Sequence, residues 1–131
     1  MITDACVPLS RLPDLIALTR LELDQSPLPA PVIAHAGDGN FHVLLMLDPT
    51  NPADLAEARR LAHNIATRAI AMGGTCTGEH GVGVGKRDLL RTEMGPGAML
   101  LMERIKRAID PNNVMNPGKI LEVGQGQARE P

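Results

Sequence analysis

The chain has 131 residues, 44% of them hydrophobic and 21% charged, with a formal net charge of -2. That length suits one domain burying roughly two-thirds of its extended surface, and that charge offers no field to hold nucleic acid. With Phe41 the single Phe and no Trp or Tyr, a stacking surface for single strands is excluded too, and the core must come from Leu, Ile, Val, Ala and Met.

No apolar run approaches the ~20 residues of a membrane span, and MITDACVPLS lacks the basic start and apolar stretch of a signal peptide. Cys6 and Cys76 form no CxxC pair, which points to buried thiols in a reducing compartment. The chain reads as cytosolic, or as organellar with its targeting segment absent.

Thr3 to Leu9 suits a short strand, after which Ser10 can cap a helix to about Leu23, with Pro13 tolerable in the first turn. The linker QSPLPAP follows. VIAHA, the turn letters GDGN and FHVLLML then predict a hairpin. Asn51 at the cap and Pro52 at the first position open a long helix whose inner face carries Ala58, Leu61, Ala62, Ile65, Ala66, Ala69 and Met72. Gly73 and Gly74 stop it. A short strand around Thr75 to Gly78 is expected next, then a glycine turn and a helical piece from Lys86 to Met94. A last helix runs from Pro96 to Ile109, with Ala98, Leu101, Met102, Ile105, Ala108 and Ile109 inward, and Pro111 closes it. The tail from Glu122 is expected to fray as a disordered segment, 122–131.

Strand, helix, strand, strand, helix, strand is the order of an α+β fold: a ferredoxin-like split βαβ antiparallel sheet, here with added C-terminal helices. Two helices would cover one face of the sheet, and the other face needs something else to close it. Met99 and Leu100 fall off the inward stripe of their helix, a hint of a surface covered by a partner.

The chemistry concentrates in HAGDGNFH, from His35 to His42, and GEHGVGVGKR, from Gly78 to Arg87. If Gly37 to Asn40 form the hairpin loop, His35 falls opposite His42 on one face, and two imidazoles there can share a metal. Asp38 or Asn40 can bond the turn or orient a ligand histidine. A good turn flanked by an ordinary cross-strand pair explains the same letters. Glu79 and His80, at a strand end, should point to opposite sides, one suited to a ligand and the other to a base, unless they are a surface pair. Two histidines and a carboxylate leave open positions on a zinc or manganese ion. GVGVGKR fails both the Walker A and GxGxxG patterns. Its glycines therefore suggest close backbone approach, and Lys86 and Arg87 suit a solvated face better than an anion site. His63, on the polar side of the long helix, takes no role.

HAGDGNFH, CTGEHGVGVGKRDLL and IKRAIDPNNVMNPGKIL, with TDACVPLSRLPDL, together resemble the C-terminal region of FAD-linked oxidases of the vanillyl-alcohol oxidase type, in the D-lactate dehydrogenase (cytochrome) and glycolate oxidase D-subunit branch. The resemblance covers roughly residues 3–121. It implies FAD, a divalent metal held by His35, His42 and Glu79, and His80 as the general base for a D-2-hydroxy acid. Asn116, Gly118 and Lys119 of NPGK would lie near the flavin. Leu44, apolar where 2-hydroxyglutarate-specific relatives tend to carry Asn, favours lactate or glycolate.

Such enzymes carry a separate FAD-binding domain, so residues 1–121 correspond to the substrate and metal-site domain, expected to be inactive without the flavin part. The partners so implied are a small 2-hydroxy acid, a FAD-binding domain or subunit and an electron acceptor, the last of which could make the protein membrane-peripheral. Two other readings remain open: a stand-alone metal-binding domain or small metallohydrolase, and a non-catalytic subunit of a split oxidase.

Overall fold

The computed structural model describes residues 1–123, and the chain divides into two compact units, Met1–Gly81 and the part from Val82 onward. In the first, β1 (Ala5–Cys6), α1 (Leu12–Leu23), β2 (Val32–His35), β3 (Asn40–Val43) and α2 (Pro52–Ala71) follow one another. The strands form an antiparallel sheet in the order β1-β3-β2. The fold is α+β, as the pattern of elements predicts.

The expected fourth strand, Thr75 to Gly78, is reduced to one bridge between Cys6 and Thr75. That bridge lies on the side of β1 away from β3, which is the position a fourth strand takes in a split βαβ sheet. Pairing stops there because the next amides turn towards the carboxylate of Asp4.

Alternation along β3 sorts its side chains onto two faces. Phe41 and Val43 enter the core with Ala5, Leu15, Leu45 and Leu61, while Asn40 and His42 face the other way and are also buried. Leu12, Leu15, Thr19 and Leu23 are the buried positions of α1, spaced at three and four residues as one helix face requires. Ser10 is not its cap. It lies in a 3-10 turn, Leu9–Arg11, that Pro8 initiates with its carbonyl accepting from Arg11 N.

The long helix begins as expected, Asn51 accepting from Ala53 N at 3.0 Å with Pro52 in the first turn. Ala58, Leu61, Ile65, Ala66 and Ala69 are buried, and Ala62 and Met72 pack half-buried against them. Glu22 ties α1 to α2, accepting from Arg60 and Asn64 at 2.5 and 2.6 Å and forming an ion pair with Arg68 at 2.6 Å. Burial raises the pKa of its carboxyl, but hydrogen bonds from Asn64, Arg68 and Arg60 outweigh that and hold it below the usual carboxylate range.

The second unit is built on α3 (Arg87–Ile109), bent where Gly95 leaves helical geometry with φ 72° just before Pro96. The two expected helical pieces are its two halves. The expected inward stripe is not. Leu101, Ile105 and Ile109 are 59%, 50% and 69% exposed, whereas Met99, expected off the stripe, is buried with Leu90, Leu121 and Val123. The chain after the helix decides this. Asp110 accepts from the Lys106 ammonium and from Val114 N and Met115 N, and Asn113 donates to Val123 O. The returning segment therefore packs on the Met99 side. Residues 124–131, most of the tail expected to fray, lie outside the described residues. Among the described residues no helix is long and apolar enough to cross a membrane.

Candidate functional site

The hairpin pairs His35 with Asn40, Ala34 with Phe41 and Ile33 with His42. This corrects the expected register, in which His35 faced His42. The loop is Ala36 to Gly39, because β1 holds the start of β3: Cys6 pairs with Asn40, and Val7 N donates to Gly39 O at 3.0 Å. Gly39 is required there, since its φ is +74° and a Cβ would lie 2.1 Å from Val7 O. A slip of two residues keeps the same face outward, so His35 and His42 still meet, now as diagonal neighbours with rings edge-on and centroids 5.7 Å apart.

Glu79 and His80 arrive from a turn rather than a strand. The Asp4 carboxylate, at the entrance to β1 and 2% exposed, accepts from Thr77 Oγ1 at 2.7 Å and from the backbone N–H groups of Gly78, Glu79 and His80 at 2.9, 3.2 and 3.0 Å. Successive N–H groups converging on one anion form a concave nest. Strand alternation cannot survive that curl, so Glu79 and His80 fall on the same side, not on opposite sides as predicted. The close approaches expected at Gly81, Gly83 and Gly85 occur instead at Gly39, Gly74 and Gly78, the last packed on the side chain of Asn40.

The result is a compact polar cluster. His42 Nε2 and His35 Nε2 approach the same Glu79 Oε1, at 3.1 and 3.6 Å, and these three ligand atoms all lie within 4.8 Å of one another. His80 stacks on His42 with centroids 5.2 Å apart, and its Nε2 is 3.8 Å from Glu79 Oε1. His42 Nδ1 lies 3.0 Å from Thr3 O. Donation to that carbonyl leaves Nε2 as the lone-pair atom facing Glu79, the tautomer a metal-ligating histidine needs. Asn40, rather than Asp38, reaches His42, with Nδ2 3.5 Å from Nε2. Its Oδ1 is buried with no hydrogen-bond partner among the described residues.

Two imidazole nitrogens and one carboxylate oxygen suit a divalent ion such as zinc or manganese with positions left open. A second grouping, Asp4, His42 and His80, also converges, but there the Asp4 oxygens already serve the turn. The cluster opens into a pocket of about 210 Å³, whose other walls are Ile2, Ile33 and Leu44.

Sequence reasoning missed Asp4 and Thr3. Their only signal was the TD pair in a segment that matched the family pattern without an assigned role. Cys6, half-buried beside them, has its thiol pKa raised by burial and then by the Asp4 and Asp38 carboxylates, which makes it a poor nucleophile. Cys76 is buried and not joined in a disulfide.

Asn116, Gly118 and Lys119 lie in the second unit, in a turn closed by Lys119 N donating to Asn116 O at 3.1 Å. Asn116 and Lys119 line a groove of about 760 Å³ there, walled mainly by Met102, Ile105, Ile109 and Ile120. Arg87 is structural, donating to Gly118 O at 3.1 Å and pairing with Glu122 at 2.8 Å. His63 is exposed, as expected.

Residues 1–120 match the family model described as FAD linked oxidases, C-terminal domain. The chain is 50% identical over 123 residues to the probable D-lactate dehydrogenase, mitochondrial, of Danio rerio, covering 94% of this chain and 25% of that protein. It is 54% identical over 121 residues to the D-lactate dehydrogenase [cytochrome], mitochondrial, of Arabidopsis thaliana, covering 92% and 21%. With the glycolate oxidase subunit GlcD of Bacillus subtilis it shares 32% over 120 residues, covering 92% and 26%. The chain thus spans about a quarter or less of the length of the first of these relatives, and it belongs to the FAD-linked oxidase C-terminal domain family.

Proposed function

We propose that this chain is the C-terminal part of a flavin-dependent dehydrogenase of small D-2-hydroxy acids, D-lactate or glycolate, in which His35, His42 and Glu79 hold a divalent ion, zinc or manganese. The observation that carries the reading is the meeting of both histidine Nε2 atoms on one Glu79 oxygen, with His42 Nδ1 committed to a backbone carbonyl. The orphaned, buried Asn40 Oδ1 beside them supports a site that a further group completes.

When bound, the ion would hold the substrate's carboxylate and hydroxyl oxygens and ease loss of the hydroxyl proton. His80, half-exposed and stacked on His42, takes that proton as general base. The flavin, held by a FAD-binding domain or subunit beyond these residues, would accept the hydride from the α-carbon. Asn116, Gly118 and Lys119 offer an amide, backbone amides and an ammonium, donors that suit flavin oxygens or phosphates. Ile2, Ile33 and Leu44 make the pocket's free wall apolar, matching a hydrogen or methyl on the α-carbon and leaving a second carboxylate unpaired. The fish and plant relatives are named as mitochondrial; the same setting is proposed for this chain in a eukaryote, and the cytoplasm in a bacterium.

The test starts with metal content. About one zinc or manganese per chain is expected, lost in His42→Ala. Joined to a FAD-bearing partner, the chain should support D-lactate- or glycolate-dependent dye reduction, and His80→Ala should lower kcat by about 10²- to 10⁴-fold with the metal retained. Equal metal content in His42→Ala, or equal turnover in His80→Ala, overturns the reading.

A further inference from the structure

Thr3 and Asp4 are adjacent, yet each governs a different part of the cluster. Thr3 is fixed by its own pairing, its N donating to Val43 O at 3.0 Å and its Oγ1 accepting from Val43 N at 2.9 Å, and its carbonyl orients His42. Asp4 faces the other way along the chain's reach, to residues 73 to 76 positions later. Among the described residues, the turn Thr77–His80 has no ladder to hold it beyond the Cys6 and Thr75 bridge. What fixes the backbone of Glu79 and His80 is the set of hydrogen bonds to this one carboxylate.

We propose that Asp4 is a positioning residue of the site: by gathering three successive backbone N–H groups and the Thr77 hydroxyl, it fixes where the Glu79 carboxylate and the His80 ring stand relative to His35 and His42. The proposal rests on the metal reading above for its consequence, but not for its geometry. All four donors reach Asp4 Oδ2, and Glu79 N also lies 3.3 Å from Asp4 Oδ1; an asparagine answers them with one neutral carbonyl oxygen instead of a charged one, and its N–H₂ meets Glu79 N–H where Asp4 offers a second acceptor. Its Oδ1 also lies 3.7 Å from His42 Nδ1, so the negative charge sits on the side of the imidazole away from Glu79. A carboxylate in that place makes the opposite nitrogen a stronger donor to a cation. Thr77 completes the arrangement, its Oγ1 also lying 3.2 Å from Gly81 O.

The experiment compares the full chain with Asp4→Asn, Asp4→Glu and Thr77→Val, using Co²⁺ alone as the probe. Far-ultraviolet circular dichroism and urea midpoints identify which variants fold. In folded Asp4→Asn, Co²⁺ affinity should fall about 10- to 100-fold, with a changed d–d absorption band, and amide hydrogen exchange at Gly78, Glu79 and His80 should accelerate at least tenfold. Thr77→Val, which removes one donor and keeps the acid, should show the same changes at smaller amplitude and carries the test if Asp4→Asn does not fold. Partial recovery of the band in Asp4→Glu supports a role for the charge.

Unchanged affinity, band and exchange in a folded Asp4→Asn overturn the proposal. Should the unaltered chain bind no Co²⁺, the metal reading itself falls, and exchange alone then decides Asp4: slow amides at 78–80 that become fast in Asp4→Asn uphold the positioning role, and equal rates end it.

Discussion

His42 Nδ1 lies 3.0 Å from the carbonyl oxygen of Thr3, while His42 Nε2 lies 3.1 Å from Glu79 Oε1. The carbonyl can only accept, so the neutral ring carries its proton on Nδ1 and offers its lone pair at Nε2. Long-range ¹H–¹⁵N spectra of the Zn²⁺-loaded chain should show His42 protonated at Nδ1 with its Nε2 lone pair given to the ion. An Nε2–H signal would contradict the donor geometry on which the site depends.

Phe41 is fully buried between the sheet and the two helices of the first unit, and no other aromatic side chain shares the load. Phe41→Ala removes its contacts and leaves a cavity, an expected loss of about 3–5 kcal/mol. Urea unfolding of the chain measures it. A loss below about 1 kcal/mol would mean that the core collapses around the gap.

Gly39 and Gly73 both have positive φ, +74° and +78°, but only Gly39 has a neighbour in the way. Gly73→Ala should therefore cost only the left-handed backbone strain, about 1–2 kcal/mol. Gly39→Ala adds a collision with Val7 O, and a total of about 2–5 kcal/mol is expected. Because that collision lies where β1 meets β3, loss of the Cys6 and Asn40 pairing, read by amide exchange, should accompany it. Equal melting temperatures for the two variants would count against the register described here.

The folded-state pKa of Glu22 is depressed, the hydrogen bonds from Asn64, Arg68 and Arg60 outweighing its burial. Its contribution to stability is present in full above the unfolded glutamate value, about 4.3, and is lost as the pH falls from there through the folded value. Glu22→Gln should therefore lower stability at neutral pH and flatten the stability profile as the pH falls below about 5. Parallel profiles for the two proteins would show that the link from α1 to α2 carries no net weight.

What could be read along the chain was whatever neighbours in sequence decide. The Asn51 cap with Pro52 and the apolar face from Ala58 to Ala69 are set within one helix, and the hairpin with both histidines on one face follows from turn letters and a period of two. The motifs carried the family, which the match over residues 1–120 bears out. Tertiary structure decided the rest. The register of His35 depends on β1 reaching Gly39 and Asn40 from outside the hairpin. The shared side of Glu79 and His80 depends on a carboxylate more than seventy residues earlier, where unsatisfied amides outweigh the tendency to extend. The exposed face of Leu101, Ile105 and Ile109 depends on which side of α3 the returning chain covers. Periodicity shows that a helix has an apolar face; only the partner that packs on it decides which residues are buried.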